Sequence, residues 1–311
     1  MTAATGDHEP AGHLRRVLEA GRFAITAEIV PPAATDPELL LRKALPLRGL
    51  ADAVNLTDGV SARAHMSALV AAGLLVQAGI EPVLQITCRD RNRIALQSDL
   101  LGAAALGLTN LLILRGDPPA AGDQAAAKSV YDLEPRTLMQ TAARIRDCGE
   151  LPSGRKVTGP APFFIGAADM PTDPPADWVP DGLLAKIAAG AQFAQTQFCM
   201  DAAVVRRYAA RLREHGVTER LHLLIGIAPP ASARSARWIR EHLYGAIIPD
   251  AIVARLERAA DPKAEGRRIC VELLQELAEI PGVAGAHVMA PLNESALPDV
   301  LSRARLMMRG R

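Results

Sequence analysis

Aromatic residues are scarce in this 311-residue chain, at 3% of positions. Proteins that grip single-stranded nucleic acid stack bases on aromatic platforms, and there are too few here to build one. Nor is there a surplus of positive charge: 35 basic and 34 acidic residues leave a formal charge of +1, so no nucleic-acid partner is expected. The four cysteines, Cys88, Cys148, Cys199 and Cys270, are scattered without a C-x-x-C pair. That pattern argues against a disulfide framework and for a reducing, cytoplasmic setting. No apolar run reaches the roughly eighteen residues of a spanning helix, so no membrane association is expected. The first dozen residues also lack the basic start and apolar stretch of a signal peptide. The seven histidines include no H-x-H or H-E-x-x-H, and no metal site is expected. A G-x-S-x-G elbow, a P-loop lysine motif and a repeat of solenoid length are all missing.

What the chain does have is apolar mass and order. Hydrophobic residues make up 49% and charged residues 22%, enough to bury a large core. Short apolar runs alternate with longer helical patterns, the signature of βαβ units and a parallel sheet. Eight strands are expected, at 23–30, 51–56, 82–87, 110–114, 163–168, 193–198, 221–227 and 284–289. Most are continuous apolar runs, as suits strands covered on both faces. Helices are expected between them at about 37–47, 62–78, 91–105, 135–146 and 181–189. Another should follow a cap at Asp201, with Val204, Tyr208 and Leu212 on one face. Two or three more fall between the seventh and eighth strands. The reading is α/β, a single (β/α)8 TIM barrel over residues 21–311 with extra helices before the last strand. Residues 1–20 read as a flexible lead-in. A doubly wound sheet would show a G-x-G-x-x-G turn after its first strand, where this chain runs into Pro31-Pro32.

A barrel gathers its active site at the C-terminal ends of its strands. Polar residues at those ends are Glu28, Asn55, Thr57, Asp58, Gln85, Thr87, Arg115, Asp117, Asp169, Thr196, Gln197, Asn293 and Glu294. Glu28 interrupts the apolar strand AITAEIVPP, where desolvation favours the protonated acid; a strand-end carboxylate paired with an arginine is the plainer alternative. Asp117 follows Arg115-Gly116 in LILRGDPP, and Gly116 permits close approach of a ligand or simply a turn. Gln195 and Gln197 share a face by alternation, for ligand contact or internal hydrogen bonding. In TCRDRNR, residues 87–93, Arg89, Asp90 and Arg91 suit an anion site or a solvated helix start capped by Asp90. His287 lies in the last strand and reads as a satisfied core histidine. Acid–base and hydrogen-bonding groups without a metal or nucleophile suit chemistry carried by a cofactor.

The motifs AEIVPP, NLTDG, TCRDRNR, LILRGDPP, FFIGAA, KIAAGAQFAQTQFCMD, GIAPPASARSARW and HVMAPLNE occur in that order at strand ends. Over about residues 23–306 the chain thereby resembles the 5,10-methylenetetrahydrofolate reductases, and most closely their acetogen-like branch. The resemblance implies a barrel that carries hydride from NADH or NADPH through FAD or FMN to a tetrahydrofolate substrate. It implies Glu28 as general acid, with Asp117 beside flavin and pterin and Gln197 and Asn293 toward the substrate. It sets Thr57, Gln85, Thr87, Arg89, Asp90, Arg91, Arg115, Gly116, Tyr131, Ala168, Asp169 and Lys186 around the flavin. The chain departs from the enterobacterial type at several places. Asp169 and Asp173 stand for a tyrosine and a histidine, Gln85 for a histidine, and Glu294 for a folate-contacting arginine. Ala233 stands near the position of an aromatic. Flavin-free transfer from the nicotinamide, a homo-oligomer, and a subunit that works only with a partner are open alternatives.

Overall fold

Alternation along eight short strands sorts their side chains into two shells, and in the computed structural model the sheet closes on itself. The structure describes residues 12–309. In chain order the elements are α1 (His13–Glu19), β1 (Ala24–Ile29), α2 (Pro37–Ala44), β2 (Ala53–Leu56), α3 (Ala68–Gln77) and β3 (Pro82–Thr87). Next come α4 (Arg93–Ala105), β4 (Asn110–Leu114), α5 (Pro135–Cys148), β5 (Phe164–Asp169), α6 (Asp181–Ala188) and β6 (Phe193–Phe198). The chain ends with α7 (Ala202–Glu214), β7 (His222–Ile227), α8 (Ala233–His242), α9 (Asp250–Arg258), α10 (Pro262–Ala278), β8 (Gly285–Val288) and α11 (Leu297–Arg309). Each strand pairs in parallel with its neighbours in sequence, and β8 closes onto β1 with His287 opposite Thr26. This is the (β/α)8 barrel expected, with α8 to α10 inserted before the last strand.

One shell of strand residues, including Ile25, Ala27, Val54, Leu84, Ile86 and Ile113, packs outward against the helices. The other points inward. Ala24, Ala53, Val83, Leu112, Phe164, Phe193 and Leu224 fill the lower barrel, with the rings of Phe164 and Phe193 stacked 4.9 Å apart. Helix α1 closes this end by adding Leu14, Val17 and Leu18, none more than 3% exposed. Its first turn is held by Glu81, which accepts from the backbone nitrogens of His13 and Leu14. Part of the stretch expected as a flexible lead-in is therefore a packed plug, because its apolar residues recur at helical spacing. Residues 1–11 lie outside the described part.

Two helix boundaries also differ from expectation. The stretch 63–67 is not helical: a short 3-10 turn, Val60–Ala62, carries Ser61 and Ala62 at left-handed backbone angles (φ 53° and 52°), and the helix begins only at Ala68. Helix α4 is capped by Asn92, whose Oδ1 accepts from Ile94 and Ala95, and not by Asp90. Asp201 caps α7 as expected.

Candidate active site

Above the apolar floor the barrel interior turns polar. Thr26 follows Ala24 on the inner face of β1, and Glu28 follows Thr26. The adjoining strands β2 and β8 supply Asn55 and His287, and β6 across the barrel supplies Gln195, to a layer with Thr26, all at most 3% exposed. Asn55 and Gln195 bond as a reciprocal amide pair at 2.6 and 3.0 Å. Thr26 Oγ1 lies 3.0 Å from Gln195 Nε2 and 2.9 Å from His287 Nδ1. Buried polar groups persist in a core only when partnered in this way.

Glu28 stands on this layer at the C-terminal mouth. Gln85 Nε2 donates to its Oε2 at 2.7 Å, and His287 Nε2 lies 3.4 Å from the same oxygen. The Glu28 side chain is 20% exposed, so a ligand in the mouth can reach it. No arginine pairs with it among the described contacts. Nearby, Thr57 is 3% exposed and its hydroxyl has no partner among the described residues. A buried hydroxyl without a partner is costly unless a ligand atom satisfies it. The mouth thus offers the Glu28 carboxyl group, held by Gln85 and His287, and the waiting Thr57 hydroxyl.

The expected anion-binding turn has a different occupation. Asp58 accepts from the backbone N and Oγ1 of Thr87 at 2.8 and 3.0 Å and from Arg91, which also reaches Asp99. Arg89, 4% exposed, pairs with Asp90 and donates to the carbonyls of Gly59 and Asp117. These guanidinium groups tie the β2, β3 and β4 loops together. Gly116 takes φ +86° and packs its Cα against Thr87 and Arg89, where a Cβ would come within 3.1 Å of both. Tyr131, also at positive φ, donates to the Gly116 carbonyl at 3.1 Å, and the Arg115 guanidinium lies 4.3 Å from its ring. The Asp117 carboxylate is exposed at the rim with no side-chain partner among the described residues.

On the far side of the mouth, Ala168 ends the inner face of β5 and its carbonyl accepts from Lys186 at 2.6 Å. Asp169 points the other way, into the wall between helices, where Tyr208 donates to it and Lys186 stands at 3.7 Å. Burial pushes its carboxyl above the usual carboxylate range, with the Tyr208 hydrogen bond and the Lys186 charge pulling the other way. The alternation expected to carry Gln195 and Gln197 together is broken by a register shift between Gln195 and Phe198. Thr196 Oγ1 takes the Gly226 N–H at 2.9 Å, and the Gln197 amide bonds to Phe198 N and the Tyr244 carbonyl. Asn293 donates to the Pro229 carbonyl, joining the β7 and β8 loops beside a cavity of about 270 Å³. Glu294 accepts from Val30 N and pairs with Lys43 at 2.8 Å.

Of the expected residues, then, Glu28 and Gln85 are joined directly, with Thr57 at the same mouth. Thr87, Arg89, Asp90 and Arg91 brace loops, and Asp169 lies behind the wall. Thr26 was not among the expected site residues, Gln195 was read as either a ligand contact or an internal hydrogen bond, and His287 was read as a core histidine. The signal that could have found Thr26 is its spacing two residues before Glu28 on one strand face. A larger cavity, about 720 Å³, lies at the N-terminal side near Thr109 and Arg155 and contains none of these groups.

Comparison with known proteins follows the same outline. The family model described as methylenetetrahydrofolate reductase matches residues 13–305. A Caenorhabditis elegans protein named probable methylenetetrahydrofolate reductase (NADPH) is 27% identical over 245 residues, covering 76% of this chain and 34% of that protein. The chain thus spans about a third of that relative's length. An uncharacterized Clostridium thermocellum protein, solved with two copies of 5-methyl-5,6,7,8-tetrahydrofolic acid, superimposes with a TM-score of 0.66 over 96% of this chain and 100% of its own, at 13% identity. EDTA monooxygenase from Chelativorans sp. BNC1 does so with a TM-score of 0.57 over 93% and 94%, at 12% identity. At such identities the two structures show a shared fold. Among the described residues, no helix is long and apolar enough to cross a membrane.

Proposed function

The chain belongs to the methylenetetrahydrofolate reductase family, and from that premise we propose that it interconverts 5,10-methylenetetrahydrofolate and 5-methyltetrahydrofolate with NADH or NADPH as the hydride source. The observation that carries this reading is Glu28, a carboxyl group at the barrel mouth with one oxygen held by Gln85 and the other without a hydrogen bond among the described residues. In the reductive direction the acid proton moves from Glu28 to the folate N10. The bond between N10 and the bridging carbon breaks, its electron pair going to N10 and leaving a cationic N5-methylene group. Glu28 is left as the carboxylate, and the methylene carbon takes up a hydride to become the methyl group. Asp117, unpaired at the rim, is suited to accept hydrogen bonds from the N–H groups of a pterin, and Gln197 has one amide N–H left to offer. Asn293 steadies the loop on the side where the substrate tail would leave.

FAD or FMN is the carrier in this proposal, supplying a two-electron stop between nicotinamide and folate. The residues present fit such a group at Thr57, whose buried hydroxyl, without a partner among the described residues, offers it a hydrogen bond. Arg89, Arg91 and Lys186 act through the loops that they brace. That same engagement favours a second reading, direct hydride transfer from the nicotinamide, because Arg89, Arg91 and Lys186 are already paired within the protein, leaving the exposed Arg115, 3.6 Å from Glu134, to meet flavin phosphates.

An absorbance spectrum of the purified protein, followed by anaerobic NADH with and without the folate, separates the readings. A yellow protein bleached by NADH and recoloured by the folate supports the flavin. Colourless protein that oxidises NADH only with the folate supports direct transfer. Silence in both, relieved by a second protein, would point to a partner-dependent subunit. Glu28→Gln is expected to lower folate reduction by about 10²–10⁴-fold while leaving NADH-driven flavin reduction intact. Full activity in that variant would remove Glu28 from the mechanism.

A further inference from the structure

The polar layer beneath Glu28 does more than fill the barrel, because its hydrogen bonds have a direction. Asn55 Nδ2 donates to Gln195 Oε1, and Gln195 Nε2 returns a hydrogen to Asn55 Oδ1. That leaves Gln195 one N–H, aimed at Thr26 Oγ1 at 3.0 Å with His287 Nδ1 just beyond at 3.4 Å. Having accepted it, Thr26 must place its own hydrogen. His287 Nδ1 at 2.9 Å is closer than the Ala286 carbonyl at 3.4 Å. A ring nitrogen facing a hydroxyl hydrogen and an amide N–H is the one that carries the lone pair. The ring proton therefore sits on Nε2, the nitrogen turned toward Glu28.

We propose that His287, neutral and protonated on Nε2, acts with Gln85 as a positioning residue that fixes the acid proton of Glu28 on Oε1. This rests on the reading of Glu28 as the general acid. Oε2 already faces N–H groups from Gln85 at 2.7 Å and His287 at 3.4 Å, so a proton there would meet two donors. Oε1 makes no hydrogen bond among the described residues, yet it is not sealed from solvent. It is the oxygen open to a ligand in the mouth. With the proton on Oε1, Glu28 need not rotate before it reacts, and the carboxylate it becomes is already hydrogen-bonded on Oε2. His287 is the one titratable group within hydrogen-bonding distance of Glu28 among the described residues. The inward side chains from β1, β2, β3 and β6, namely Thr26, Asn55, Gln85 and Gln195, are uncharged; the carboxylates on the neighbouring loops are Asp58, held by Thr87 and Arg91, Glu294, paired with Lys43, and the exposed Asp117.

Nitrogen NMR of the full chain labelled at the histidine rings tests the tautomer without reference to activity. The His287 resonances, assigned by their loss in His287→Gln, should report Nδ1 as the bare nitrogen and Nε2 as the protonated one. Thr26→Val should erode that preference. An Nδ1-protonated ring or an imidazolium at neutral pH would overturn the proposal. Kinetics supply the second arm. His287→Leu should lower kcat about tenfold, leave KM for the folate nearly unchanged, and move the high-pH limb of folate reduction upward by about one unit. His287→Gln, whose amide can still donate to Oε2, should recover most of that loss. It also keeps the test available if the leucine variant does not fold. A wild-type kcat and pH profile in His287→Leu would remove the positioning role even if Glu28→Gln is inactive. Full activity in Glu28→Gln would instead overturn the acid assignment and leave the NMR result standing.

Discussion

Thr57 holds a buried hydroxyl that has no hydrogen-bond partner among the described residues. Its cost to the free protein should fall on the order of 1 kcal/mol, and Thr57→Val, similar in shape, should recover about that much. The same variant should bind its carrier or folate more weakly, so thermal stability and ligand affinity are expected to move in opposite directions. A loss of both would mean that the hydroxyl has a structural partner instead. His222 shows a different residue-scale effect. Burial at the start of β7 holds its imidazole below the usual histidine value. The unfolded chain then takes up a proton that the folded one refuses. Stability is therefore greatest above about 6.5, the unfolded value, and declines as pH falls from there to the depressed folded value. Replacing His222 with Gln should flatten the pH dependence of urea unfolding in that window while leaving higher pH unaffected.

At the scale of elements, helix α1 and the β6–β7 pair carry contrasting burdens. The α1 helix touches no reacting group, but Leu14 is fully buried in the barrel floor beside Phe164. Leu14→Ala should cost about 2–5 kcal/mol in denaturant unfolding, with kcat little changed at temperatures where the fold persists. The β6–β7 pair is shaped for the mouth. Gly226 lies so close to β6 that a Cβ would come within 2.8 Å of the Gln197 carbonyl and press harder on Thr196. Gly226→Ala should therefore cost about 1–3 kcal/mol and displace Gln197, raising KM for the folate more than it lowers kcat. Unchanged kinetics would show that the register shift has no part in binding. The strands themselves were legible from apolar runs, since eight expected segments match eight observed ones. The register shift was not, because Thr196 replaces a ladder hydrogen bond with its side chain and no periodicity announces that exchange.

For the molecule as a whole, closure of the sheet separates chemistry from stability along one axis. Apolar layers and the α1 plug lie at the N-terminal end, the polar layer in the middle, and Glu28 at the mouth. Closure also buries three of the four cysteines. Burial, aided by Glu134, raises the Cys88 thiol to about 11; burial raises Cys199 to about 12 and pushes Cys270 up as well. Cys148 alone is exposed. A thiol reagent at neutral pH should titrate one equivalent per native chain and four after denaturation. Reaction of a second cysteine in the native protein would mean that the barrel opens more readily than its packing suggests.

Composition and apolar spacing were enough to read the barrel, the order of its elements, and Glu28 as a carboxylate in an apolar strand, because these are properties of local pattern. Thr57 and Gln85 at the mouth followed from their strand ends. The partners of those residues were another matter. Glu28 meets His287 across 259 positions of sequence, and Asn55 meets Gln195 across 140. Arg89 and Arg91 look like anion ligands in TCRDRNR until Asp58, Asp90 and Asp99 are seen to hold them. Asp169 falls at a strand end but on the outer face. Sequence sets which groups reach a strand end, through the two-residue alternation of the backbone. Only the closed sheet decides which of them meet, since pairing across a barrel depends on register and curvature that no single strand encodes.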